Sequence, residues 1–80
     1  MQNKNPPSFP PIRSAKQFGN AIQRIRKARA LTQSQLSESA GLRQAGLSQI
    51  ESGANGVRLF SLFKLLAALN LEIVLRKRGA

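Results

Sequence analysis

The stretch that most limits what this 80-residue chain can fold into lies between residues 31 and 53, LTQSQLSESAGLRQAGLSQIESG. Thr32 carries a helix-capping hydroxyl, Leu36 and Ala40 recur one turn apart, and Gly41 follows as a helix stop. After Leu42 a second short pattern begins, with Leu47 and Ile50 on one side and Arg43, Gln44, Ser48 and Gln49 on the other. The spacing therefore predicts two short helices, over 33–40 and 43–51, joined by a glycine turn with Leu42 as its apolar connector. Helices joined this tightly cross at a steep angle and bury one narrow stripe each, which leaves a polar outer face on the second.

Two further helices complete an all-α reading. Ser14 is a suitable N-cap for a helix over 15–29, in which Phe18, Ile22, Ile25 and Arg29 recur at helical spacing opposite a basic face. A fourth helix over 58–69 takes Leu59, Leu62, Phe63, Leu66 and Leu69 as its core stripe. Phe60 and Leu65 fall off that stripe and imply a second apolar face against a partner. The stretch Leu71, Glu72, Ile73, Val74, Leu75, Arg76 is β-rich and alternates. Read as a strand it needs a second strand, which the same segment of another copy supplies across a two-fold axis; the alternative continues the fourth helix through it. Four prolines within the first 11 residues exclude a regular helix there, so 1–13 reads as a flexible arm with Lys4 and Arg13 within reach of a phosphate backbone. The domain plan is thus an arm over 1–13, a helical unit over 14–70, a pairing strand over 71–76 and a basic tail over 77–80.

Composition narrows the function. Thirteen Lys and Arg face three acids, Glu38, Glu51 and Glu72, for a net charge of +10. That excess favours a polyanionic partner. There is no cysteine and no histidine, so the usual general base and the usual zinc ligands are missing. The chain reads as a non-enzyme with no metal site, no cofactor and no small-molecule substrate. No apolar run approaches a membrane span, and the start has no apolar signal core, so the expected location is the cytoplasm, at the nucleoid. Tyr and Trp are absent, which argues against the aromatic stacking platforms of single-stranded RNA binders.

The segment over 31–53 resembles the Xre-type helix-turn-helix family, which includes the phage lambda and 434 repressors. The matching residues are Thr32 and Gln33, Leu36, Gly41, the Leu47–Ser48 pair, and Ile50 and Glu51 followed by Gly53. With its ending from Leu62 to Leu75, the whole chain more closely resembles HipB-like antitoxins, dimers with paired C-terminal strands that repress their own operon and bind a HipA-like kinase toxin. The resemblance implies a lambda-repressor-like bundle, a homodimer paired through Leu71, Ile73, Val74 and Leu75, a palindromic double-stranded DNA operator and a HipA-like partner. A free-standing phage- or plasmid-type regulator is the alternative.

Site residues follow in part from chemistry and in part from the resemblance. A glutamine amide can donate to N7 and accept from N6 of adenine together, which makes Gln44 the first candidate for reading a base. Arg43 suits guanine or a phosphate, Ala45 suits a thymine methyl, and Ser48 and Gln49 lie one turn on. The family pattern puts Gln33 against a phosphate at the start of its helix and implies phosphate contacts from Asn55 and Arg58, with Lys16 and Lys27 contributing from the first helix. It also implies that Arg26 and Glu51 form a structural ion pair. Three positions depart from the family: Gly46 inside the recognition helix, Ser37 in place of alanine, and Arg43 where a capping hydroxyl is usual.

Overall fold

A computed structural model of the protein describes residues 10–79. Residues 1–9, which hold most of the expected arm including Lys4, and Ala80 lie outside the described residues. Four helices follow one another: α1 (Ala15–Ala28), α2 (Gln33–Ala40), α3 (Gln44–Ser52) and α4 (Leu59–Ala68).

Local chemistry sets the ends of each helix. Ser14 Oγ accepts from the Gln17 amide at 3.0 Å and starts α1. A reciprocal cap starts α2: Thr32 Oγ1 accepts from the Gln35 N–H at 3.0 Å, and Gln35 Oε1 accepts from the Thr32 N–H at 2.9 Å. Gly41 closes α2 at φ 71°, a left-handed conformation that a side chain would penalise, while the Leu42 N–H reaches back to the Ser37 carbonyl at 2.8 Å. Arg43 begins α3 without a side-chain cap.

The core is one cluster drawn from all four helices: Ile22 and Ile25 of α1, Leu36 and Ala40 of α2, Leu47 and Ile50 of α3, and Leu65, Leu66 and Leu69 around α4. Helix α3 lies against both α1 and α2, and α4 closes the other side of α2. The closest approach is at Gly19, whose bare Cα backs onto the main-chain carbonyls of Ile50 and Glu51.

Helix α4 is turned differently from the sequence reading. Leu65 is fully buried, not on a partner-facing side, whereas Leu59 and Phe63 of the expected core stripe are 60% and 51% exposed. The buried stripe is Leu65, Leu66 and Leu69 with Leu62 packed against them, and the outward one is Leu59, Phe60 and Phe63. The expected stripe Leu59, Leu62, Phe63, Leu66 and the observed one Leu62, Leu65, Leu66, Leu69 share the i, i+3, i+4, i+7 spacing in a helix apolar nearly all round, so periodicity alone selects neither.

The continuation of α4 into the C-terminal segment is excluded. Asn70 takes φ 57°, the Leu71 N–H folds back to the Leu66 carbonyl at 2.8 Å, and Arg29 Nη1 donates to the Leu69 carbonyl at 2.7 Å, closing the helix. Residues 72–79 are exposed and carry neither helix nor strand pairing. The described residues are therefore all-helical in their regular structure.

Candidate nucleic-acid interface

Helix α3 has two unlike sides. Leu47, Ile50 and Glu51 are buried, and Arg43, Gln44, Ala45, Ser48 and Gln49 are all exposed. A rigid helix held by its inner stripe thereby presents a contiguous row of amide, hydroxyl, methyl and guanidinium groups. Such a row is what base-pair edges in a major groove can pair with.

Beneath this row lies a polar network. Arg26 Nε donates to Glu51 Oε2 at 2.7 Å and Arg26 Nη2 to Glu51 Oε1 at 3.0 Å, a two-point pair between the end of α1 and the end of α3. Both side chains are buried. Hydrogen bonding to Glu51 holds the Arg26 guanidinium above its ordinary pKa, against burial, which acts the other way. Arg26 Nη1 also donates to the Leu31 carbonyl at 2.8 Å, so one side chain fixes α3 and the start of the helix-turn-helix unit together.

Gln33, half-buried at the start of α2, joins the same network: its Nε2 donates to Glu51 Oε1 at 3.1 Å. One amide N–H is thus engaged, leaving the other free of that bond. Lys16, Lys27, Asn55 and Arg58 are exposed, with Lys16 near the end of α3 through the close approach of Gly53 to its backbone, and Arg58 at the N-cap of α4.

Sequence reasoning misses two residues here. Lys64 of α4 donates from Nζ to the Gly41 carbonyl at 3.3 Å and sits 5.1 Å from the centre of the Phe60 ring, tying the turn to α4. Gly19 is the other, although a glycine at i, i+3, i+7 with Ile22 and Arg26 is a signal for close helix contact. At Gly46 the space is open: a Cβ there meets nothing within 4 Å. A Gly46→Ala substitution is expected to stabilise the fold by about 1 kcal/mol through helix propensity, read as a rise in Tm.

Two short helices in contact, joined at Gly41, with one side of the second exposed, define a helix-turn-helix protein. The family model described as Helix-turn-helix matches residues 22–75. Antitoxin HipB of Escherichia coli strain K12 is 35% identical over 68 residues, which span 85% of this chain and 77% of that protein. The chain belongs to the helix-turn-helix family and, within it, to the HipB antitoxins. A structure described as a HipB-O4 20mer complex matches with TM-score 0.82 and 32% identity over 89% of this chain and 100% of that one. One described as a HipA-HipB-O2-O3 complex matches with TM-score 0.81, 32% identity and the same coverage. The restriction-modification controller protein C.AhdI from Aeromonas hydrophila matches with TM-score 0.67 and 31% identity over 72% of this chain and 88% of that one.

Proposed function

We propose that this protein is a sequence-specific double-stranded DNA-binding repressor, the antitoxin of a HipA-like kinase toxin, which controls its own operon. The observation that carries the reading is the outer face of α3, where Arg43, Gln44, Ala45, Ser48 and Gln49 are exposed above a buried stripe. Supporting it are the net charge of +10 and the relatives found as HipB-O4 and HipA-HipB-O2-O3 complexes. The protein is a regulator and not an enzyme, acting in the cytoplasm at the nucleoid; among the described residues no helix is long and apolar enough to cross a membrane.

In this reading Arg43, Gln44, Ala45, Ser48 and Gln49 meet base edges, while Gln33, Lys16, Lys27, Asn55 and Arg58 hold phosphates. The Arg26–Glu51 pair keeps α3 at a fixed height above α1, and so fixes the register of the base-reading row. The unit over 14–70 binds DNA, with the arm over 1–13 and the basic tail over 77–80 flanking it.

One such unit covers half an operator. The protein works as a homodimer, joined through the segment over 71–76 as a two-stranded ribbon that uses Leu71, Ile73, Val74 and Leu75. Ile73, Val74 and Leu75 are 46%, 73% and 90% exposed, an apolar run available to a second copy. Pairing this way places two α3 helices about 34 Å apart, one duplex turn, so the operator is a near-palindrome.

The likeness to the restriction-modification controller protein C.AhdI leaves a second reading, a free-standing regulator. A kinase-like gene beside this one supports the first reading, and its absence supports the second.

The base-reading assignment is tested by Gln44→Ala. Loss of about 1–3 kcal/mol of discrimination at one base position in each half-site is expected, with little change in affinity for unrelated duplexes. A uniform loss across all sequences would instead assign Gln44 to the backbone.

A further inference from the structure

The cationic excess is not confined to the flank that carries α3. The segment before α1 and the segment after α4 border one open hollow of about 260 Å³, lined by Arg13, Arg76, Lys77 and Arg78 together with Ile12 and Val74. All six are exposed.

Helix geometry places this hollow away from the base-reading face. Gly19 of α1 backs onto the carbonyls of Ile50 and Glu51 in α3. The segment that carries Ile12 instead borders α1 at Gln17 and Ala21. Each of these stands two residues from Gly19, about 160° around the helix. The segment that carries Ile12 therefore lies across α1 from α3, whose outer face is the one turned to a duplex.

The lining also has the wrong chemistry for a phosphate backbone alone. Ile12 is 45% exposed among the cations, beside Val74, which the dimer ribbon uses. A duplex edge supplies charge for the cations and no apolar surface for Ile12. An acidic protein surface with apolar side chains among its carboxylates supplies both, as rims and cores of protein interfaces do. Pairing of the C-terminal strands uses backbone N–H and C=O groups, so the cationic side chains stay available to such a partner.

We propose that the hollow between residues 11–13 and 74–78 docks an acidic, partly apolar segment of a partner protein. Resting on the function proposed above, that partner is the HipA-like kinase, and the repressor carries two cationic faces: one for DNA and one for protein.

The test uses the full chain and a variant with Arg13, Lys77 and Arg78 changed to alanine, Arg76 being kept because it lies in the pairing strand. All three positions lie outside the helices, and an unchanged thermal melt confirms that the variant is folded. Association with the purified kinase encoded beside the gene is followed over a range of salt, and operator binding is titrated over the same range. The wild type should bind the kinase at a rate that falls as salt rises. The variant should associate at least about tenfold more slowly and lose most of that salt dependence. Its operator slope against log salt should stay unchanged, since removing any cation that neutralises a phosphate would flatten the slope by about 0.9. Equal kinase binding by both proteins overturns the proposal and leaves the toxin partnership standing. A flattened operator slope with equal kinase binding assigns the cations to DNA and overturns it as well. Failure of the wild type to bind the kinase overturns both this proposal and the antitoxin reading beneath it.

Discussion

Glu51→Ala is expected to cost about 3–5 kcal/mol of folding stability. The carboxylate accepts from Arg26 at two points and from Gln33 at a third, in a site where little water can replace it. Removing it leaves the Arg26 guanidinium buried with only the Leu31 carbonyl as partner. The cost is that of an orphaned charge and not the worth of the pair. A double replacement, Arg26→Met with Glu51→Leu, should therefore recover most of the loss. Urea unfolding of the three proteins measures both effects. A loss under about 1 kcal/mol for Glu51→Ala would mean that water reaches the pair and screens it.

Gly19→Ala is expected to be nearly as damaging, although alanine is the better helix former by about 1 kcal/mol. The added Cβ would press into the Ile50 carbonyl oxygen and stand 2.7 Å from that of Glu51. These are main-chain atoms, fixed by the hydrogen bonds that end α3, so no rotamer change relieves the clash. Helix α3 must move away from α1, at a cost of about 3 kcal/mol, the upper end of the usual range for overpacking. The same movement shifts the row from Arg43 to Gln49, so affinity for a specific duplex should fall by more than the stability loss alone explains. A variant with wild-type Tm and wild-type binding would show that α1 and α3 are not packed closely together.

These two sites also mark how far the chain can be read from its letters. The helix-turn-helix unit is legible because each of its requirements is local. Thr32 and Gln35 cap within one turn, Gly41 takes a conformation that favours glycine, and Leu36, Ala40, Leu47 and Ile50 leave only one side of each short helix apolar. The orientation of α4 is illegible for the opposite reason. Leu59, Phe60, Leu62, Phe63, Leu65 and Leu66 surround it with apolar groups, and which of them face inward is decided by where α2 and the Lys64–Gly41 hydrogen bond hold the helix. The link from Gln33 to Glu51 joins residues 18 apart in the chain, and no spacing rule reports it. The close approach at Gly19 does leave a trace, a glycine in line with Ile22 and Arg26, which is a readable sign of helix packing.

For the site, the residue types on the outer face of α3 are legible and their base partners are not. Gln44 suits adenine by the geometry of its amide, but the partner depends on how deeply the helix enters the groove. In the proposed reading that depth depends on phosphate contacts from Gln33, Asn55 and Arg58 and on the spacing of two protomers, properties of an assembled complex and not of any one stretch of sequence.

The account stands on α3 presenting its outer side chains to base pairs from two protomers at once. Selection of bound sites from a pool of random duplexes, at a fixed and stated salt concentration, tests this most directly. The expected outcome is an enriched inverted repeat whose half-sites are centred about one helical turn apart. Recovery of all sequences at equal frequency would contradict it, leaving a basic helical protein that holds DNA by charge alone.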